Sequence, residues 1–272
     1  MQSRPQEAVL NRRRLLGLLA AGCAAACLPG CSAASSSDRP SRQASCVPRR
    51  SLESYRAVAG RPLVYEVTQR RAAFSFESGF FGQVEGWLDD YSEASGLARP
   101  DQTWSYGGWT DGGSACDSWH NAGRAFDLGR LRLEGGSFVS CRYDRWQSST
   151  GAALERSLKQ YWALAASLHL HFAYVLTYLY NEQHHNHIHF DNGRSGGDPP
   201  TLSTRSRVQV QAVQAICTYL WDAPVEITGR WDQATQRATR RALDQAEIAD
   251  DLDGADETWW SFLRASVPRG AR

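Results

Sequence analysis

The sequence predicts an α+β body followed by a small helical domain, and three observations carry that prediction. Apolar residues recur with helical period at 81–91 and 151–168. The stretches 104–117 and 172–180 lack that period and are rich in Gly, Ser and aromatics or in β-branched and aromatic residues. A Gly- and Pro-rich break at 192–203 then precedes a second helical pattern.

Taken in chain order, a basic cluster at Arg12–Arg14 is followed by a charge-free apolar run from Leu15 to Leu28. The run is shorter than a bilayer span needs and ends in small residues, so residues 1–31 read as a removable export signal. Arg12 and Arg13 resemble a twin-arginine pattern. Leu28-Pro29-Gly30-Cys31 resembles a lipobox with Cys31 as the acylated residue; Ala20-Ala21-Gly22-Cys23 is a rival, and an ordinary secretory peptide cut near Ala33 is the plain alternative. Residues 32–45, rich in Ser, Ala and Arg, read as a flexible tether.

In the first helix Val84, Trp87, Leu88 and Tyr91 share a face, and in the second Leu154, Leu158, Tyr161, Trp162 and Ala165 do. The segment 104–117 reads as strand and loop, and 172–180 as a buried strand leading into a histidine cluster. Past the break, Val210, Val213, Cys217 and Leu220 form one helical stripe and Ala234, Ala238 and Ala242 another, with Asp232 placed to cap the later helix. The expected domains are 46–198 and 199–272.

Thirty basic side chains against 29 acidic ones, in a chain that is 42% hydrophobic and 22% charged, leave no field to hold polyanions and enough apolar mass to fold. Electrostatic nucleic-acid binding and intrinsic disorder are thereby disfavoured. Of seven cysteines, Cys46, Cys116, Cys141 and Cys217 remain in a chain that begins at Cys31. An even number in an oxidising compartment reads as disulfides, and Cys116 with Cys141 is the expected pair because the two bracket one compact segment. The mature chain has no closely spaced cysteine pair of the kind a thiolate metal site uses.

The chemistry concentrates in two short stretches. The first runs Ser118-Trp119-His120-Asn121-Ala122-Gly123-Arg124-Ala125-Phe126-Asp127, and the second His184-His185-Asn186-His187-Ile188-His189-Phe190-Asp191. Four of the chain's seven histidines fall in the second. A catalytic zinc needs three N or O ligands from converging segments and one vertex left for water. His120 and Asp127 can supply two, with Gly123 and Ala125 between them permitting a tight turn. If 187–189 is a strand, the imidazoles of His187 and His189 share a face, so that one can bind metal while the other faces substrate. His169 and His171, at the expected end of the second helix, read as structural cations favourable to the helix dipole, and His185 as a residue without a role.

The patterns SxHxxGxAxD and HxxHxH resemble those of the zinc peptidases that include D-Ala-D-Ala carboxypeptidases, murein endopeptidases and the hedgehog signalling domain. The stretch 168–191 is similar to one branch, the bacterial extensin-like C-terminal domain proteins. The resemblance covers roughly residues 46–192 and implies an α+β domain with a small antiparallel sheet flanked by helices. It implies His120, Asp127 and His189 as zinc ligands, His187 as the catalytic histidine, and Ser118 near the substrate. Taken by themselves, His184 reads either as a support behind the ligands or as an exposed residue, and Asp191 either as a carboxylate that orients an imidazole or as the start of the following turn. The implied activity is cleavage of amide bonds in peptidoglycan stem peptides or crosslinks. Metal-bound hydroxide would attack, formed because zinc lowers the pKa of water from about 15.7 to about 7. Two departures stand out. Asn186 replaces a glutamate common three residues before the last ligand, and Trp119 replaces a glutamate common beside the first histidine.

Residues 205–243 are similar to a small three-helix peptidoglycan-binding domain; the alternative is a helical cap on the catalytic domain. Trp259 and Trp260 either pack back or offer a stacking face. The expected chain is therefore an exported monomer of the cell envelope. Its partners would be peptidoglycan and, through a lipid anchor only, a membrane. A noncatalytic zinc-containing wall-binding protein is the alternative. A structural extensin-like rod is disfavoured by ten prolines without a repeat.

Overall fold

The computed structural model describes residues 44–271 other than Ser114 and Arg194. The expected export signal with Cys31, and all but the last two residues of the expected tether, lie outside the described residues. Among the described residues no helix is long and apolar enough to cross a membrane.

The body is α+β. Short strands β1 (Glu53–Tyr55), β2 (Ala57–Val58), β3 (Arg61–Tyr65), β4 (Arg70–Arg71) and β5 (Phe74–Phe76) precede helix α1 (Ser78–Ala94). Then come β6 (Pro100–Gly107), β7 (Ala125–Leu133), β8 (Phe138–Ser140), the single turn α2 (Tyr143–Trp146), α3 (Gly151–His169), β9 (Tyr174–Leu176) and β10 (Ile188–Asp191). Helices α4 (Arg207–Leu220), α5 (Gln233–Gln245) and α6 (Asp256–Ser266) complete the chain. The main sheet runs β2-β3-β6-β7-β10-β9, with β4 on β3 and β8 on β7, while β1 and β5 form a separate pair. The expected antiparallel sheet is corrected at one place, because β3 and β6 pair in parallel. The reason is topological: α1 lies in the connection between them and carries the chain back before β6 begins, as a parallel crossover requires.

Helix α1 starts three residues earlier than the periodicity predicts, because the Glu77 carboxylate accepts the backbone N–H of Gly79 and Phe80 at 3.0 and 2.7 Å and satisfies two otherwise orphaned donors. The expected strand at 172–180 shrinks to Tyr174–Leu176. Beyond Leu176 the β10 ladder ends, and the Tyr178 backbone N–H donates instead to the Tyr161 hydroxyl at 3.1 Å.

The faces of the sheet separate by alternation. Phe126 on β7 pairs with Phe190 on β10, and their rings stack at 5.3 Å on the covered face. Phe76 stacks on Phe126 at 5.4 Å, and Trp87 of α1 closes over Phe190 at 5.6 Å. On the opposite face the same two strands present Asp127 and His189, which pair directly in the register.

One apolar cluster continues from the sheet through α3 into α4–α6. Trp162 of α3 stacks with Tyr219 of α4 at 6.5 Å, and Gly270 lies so close to α3 that a Cβ there would stand 2.6 Å from the Ala163 methyl. Trp259 is fully buried, and the Trp260 indole N–H donates to the Pro200 carbonyl at 2.6 Å, so both tryptophans pack back. Asp232 caps α5 by accepting from Thr235 N–H at 2.9 Å. Ala234 of the expected stripe is exposed, and Thr235 and Thr239 join Ala238 and Ala242 on the buried side instead.

The disulfide expectation is corrected. Cys46 pairs with Cys116, and Cys141 and Cys217 are buried free thiols. Proximity in sequence misled here, because Cys141 follows β8 with its side chain inside the core, where burial pushes the thiol pKa well up, whereas Cys116 sits on an outer loop beside the N-terminal segment. His169 is also corrected: it is fully buried, neither ring nitrogen has a partner, and burial pushes its pKa down to about 4, so it is no cation at neutral pH. His171 instead reaches Asp90 at 3.2 Å.

Because the folded protein resists protonating His169 while the unfolded chain takes up that proton near pH 6.5, the residue costs stability as pH falls from 6.5 toward about 4. His169→Phe is expected to stabilise the protein against urea. It should also remove up to about 3 kcal/mol of the stability loss between pH 7 and pH 4; parallel wild-type and variant pH profiles would refute this.

Candidate metal centre

Two of the three central groups come from the sheet. Asp127 and His189 stand opposite each other on β7 and β10, with the Asp127 Oδ1 3.0 Å from His189 Nδ1. A bulge after Leu128, with Gly129 as the extra residue, shifts the phase of β7 so that Arg130 points outward while Leu131 returns to the core. Gly129 is required there, since a Cβ would lie 2.5 Å from the buried Glu66 side chain.

The third group comes from a turn. Ser118 caps the 3-10 segment Trp119–Ala122 in a capping box with Asn121, its Oγ accepting the His120 backbone N–H at 3.3 Å. Gly123 ends the segment at φ +69°, the left-handed conformation that reverses the chain into β7. The turn between His120 and Asp127 is thus made as the spacing predicts. It brings His120 Nε2 to 3.1 Å from both Asp127 Oδ1 and His189 Nδ1.

Hydrogen bonds behind the rings fix their protons. The Gly108 carbonyl, which can only accept, lies 2.6 Å from His120 Nδ1, so that nitrogen carries the proton and Nε2 offers its lone pair to the centre. The Asp191 carboxylate lies 3.2 Å from His189 Nε2 and is itself held by the Gly193 backbone N–H at 2.9 Å. His189 therefore donates from Nε2 and turns Nδ1 inward. Three acceptor atoms face one point, the arrangement that a divalent cation accommodates and that orienting partners behind the ligands support. Among the described residues His120, Asp127 and His189 form the one group of this kind.

The electrostatics agree with that geometry. Burial acts to raise the Asp127 pKa, yet the His120 and His189 rings set against its carboxylate, with His187 nearby, overcome it and hold the carboxyl far below its usual range. Burial acts to lower His189, but Asp127 and Asp191 outweigh it and bring its pKa up to about 9, so positive charge at this spot is favoured.

His187 immediately precedes β10, and its Nε2 stands 3.4 Å from the same Asp127 oxygen. Its Nδ1 lies 2.6 Å from Asn186 Oδ1, an acceptor that leaves Nε2 unprotonated. Burial above all pushes its pKa down. His184 is half-buried beside it, with ring centroids 5.1 Å apart, and burial followed by the neighbouring imidazoles pushes its pKa down to about 4. Its Nδ1 is held by Asn181 Oδ1 at 2.6 Å. His185 packs edge-on against Tyr143 at 5.1 Å, away from the centre.

His120, Asp127, His184, His187 and His189 line a cleft of about 710 Å³, with Ser118 and Asp191 and with walls from Trp119, Tyr174 and Tyr180. Arg124 and Arg142 are engaged elsewhere. Arg124 bonds Asn192 at 2.8 Å and covers the Trp119 ring, and Arg142 makes a two-pronged pair with Asp144 at 2.7 and 2.8 Å. Nothing in the sequence signals the Gly108 carbonyl, because any residue carries one. Asn186 and Trp119, visible only as departures from a pattern, prove to be an orienting group and a wall.

Residues 108–199 match the family model described as Extensin-like protein C-terminus. The extensin-like segment thus contains His120, Asp127, His187 and His189 together. No curated protein and no solved structure matches the chain.

Within the matched segment, Gly193 stands where a side chain has no room: a Cβ would lie 1.9 Å from Trp119 Cε2. Gly193→Ala is expected to displace the Trp119 wall and to cost about 1–3 kcal/mol in urea unfolding; an unchanged midpoint would show that the wall yields freely.

Proposed function

We propose that the chain is a zinc-dependent hydrolase of amide bonds in peptidoglycan stem peptides or their crosslinks. The observation that carries this reading is the convergence of His120 Nε2, Asp127 Oδ1 and His189 Nδ1 within about 3.1 Å of one another on the floor of a cleft, with His187 beside them. The donor set, two imidazole nitrogens and one carboxylate oxygen, suits zinc. Structural zinc sites generally take four protein ligands. A set of three facing a cleft supports catalysis over a purely structural ion, and so over a noncatalytic wall-binding protein.

When bound, the ion supplies Lewis acidity toward a carbonyl oxygen and acidifies water. The chain's own groups do the rest. Gly108 and Asp191 hold the two imidazoles in their ligating tautomers. His187 Nε2, freed by the bond from Nδ1 to Asn186, takes the proton of the attacking water and returns it to the leaving amine. Trp119, Tyr174 and Tyr180 wall the cleft, and Ser118 at its edge is placed to meet substrate.

The wider setting belongs to the same proposal. Residues 1–31 direct export, Cys31 carries a lipid anchor in the cell envelope, and peptidoglycan is the partner of a monomeric enzyme. Helices α4–α6 serve as a wall-binding module. Their packing onto α3 equally suits the cap reading, so the two roles coexist in one body.

Metal analysis of the purified protein is expected to find one zinc per chain, and its absence would overturn the proposal. His189→Ala should lose both zinc and the release of shortened or uncrosslinked products from muropeptides, read by mass. His187→Ala should keep the zinc and lose about 10²–10⁴-fold in kcat. A variant that loses metal along with activity would make His187 a ligand rather than a proton carrier.

A further inference from the structure

His120 is the one ligand that does not come from a strand, and its position depends on a loop. Among the described residues from Gly108 to Ser118 there is no regular secondary structure, yet this loop supplies the carbonyl that sets the His120 tautomer. The N-terminal segment holds the loop in place. The Val47 backbone N–H donates to the Asn121 carbonyl at 2.9 Å, and the Trp109 indole N–H donates to the Val47 carbonyl at 2.8 Å. One residue thereby bonds both to the neighbour of the ligand and to the neighbour of its orienting carbonyl. Cys46, just before Val47, is bonded to Cys116, two residues before Ser118. Cys116 itself sits at φ +45°, a left-handed conformation that costs a non-glycine residue energy unless its surroundings hold it.

Resting on the metal reading above, we propose that the Cys46–Cys116 disulfide and the Val47 strap position His120 as a ligand, so that the affinity of the centre for a divalent cation depends on that disulfide. Asp127 and His189 are fixed by the β7–β10 ladder whether or not the strap is closed. Opening the strap frees the segment that carries Gly108 and His120 and leaves two ligands of three in place. The ion then has to order the third, which lowers apparent affinity by the fraction of chains in the competent arrangement. The disulfide closes a span of 70 residues and joins an exposed cysteine to a partly buried one, so it is open to thiol reagents.

The test titrates metal-free protein with Co²⁺ and then Zn²⁺, reading cobalt absorption and competition, for the oxidised wild type, the Cys46→Ser/Cys116→Ser variant and Trp109→Phe. The double variant is expected to bind with a Kd at least about tenfold higher, the range seen when groups behind metal ligands are lost. Trp109→Phe, which keeps the disulfide but loses the bond to Val47, should shift the same way by a smaller factor. A disulfide that only stabilises the fold would lower the melting temperature of both metal-free and metal-loaded protein and leave Kd unchanged, and that result overturns the proposal. If the double variant is unfolded by near-UV circular dichroism, an unchanged Kd in Trp109→Phe overturns it alone. Failure of the oxidised wild type to bind either ion brings down the metal reading itself and the strap with it.

Discussion

The register between β7 and β10 is the constraint on which everything else rests. Pairing Phe126 with Phe190 sets Asp127 opposite His189 on the other face. A slip of one residue would turn each side chain to the opposite face, placing a carboxylate and an imidazole among Phe76, Trp87 and Phe172 and exposing two phenylalanines. The energetic gap between those registers is the hydrophobic burial of the aromatic stack plus the cost of burying unpaired polar groups. The core therefore specifies the geometry of the polar centre from the opposite face of the sheet.

The three converging atoms differ in how they are held. Two sit on adjacent strands and share their rigidity. The third rides on a 3-10 turn whose backbone is organised by a capping box, a left-handed glycine and the Val47 strap. Bringing two imidazoles and a carboxylate within about 3.1 Å of each other costs desolvation and, with all three as acceptors, lone-pair repulsion. The raised His189 pKa is the signature of that cost, since a proton relieves it in the same way a cation does. The Gly108 and Asp191 partners prevent the simplest escape, rotation of either ring to turn its N–H inward.

The helices were legible because period and burial coincide: Val84, Trp87, Leu88 and Tyr91 are all buried on α1. The site residues were legible because their types are costly to cluster without a purpose and their spacing allows a turn and a strand. Other features were not. The strand at 172–180 looks uniform in composition, but its length is set by its partner, and β10 offers residues only as far as Leu176. The disulfide depends on where the N-terminal segment crosses the 108–118 loop, a long-range fact with no local signal. His169 looked like a helix-end cation because sequence shows its place on the helix and conceals that α6 covers it with Trp259, 6.0 Å away.

A Gly- and Pro-rich break such as 192–203 is where a separable domain is usually sought, yet α4–α6 extend the same apolar cluster as the sheet. Trp162 meets Tyr219, Ala163 meets Gly270, and Gln83 of α1 donates to the Gly196 carbonyl within the break itself at 2.8 Å. Cutting the chain there would expose buried faces of α3, so loss of activity in a truncated protein would report lost stability before any lost contact with the wall. A binding role for these helices has to be tested on their outward face, where Arg237 and Arg241 of α5 are exposed and Trp259 and Trp260 are committed to packing. Substitutions there leave the shared core intact, and only they can separate holding a substrate from holding the fold.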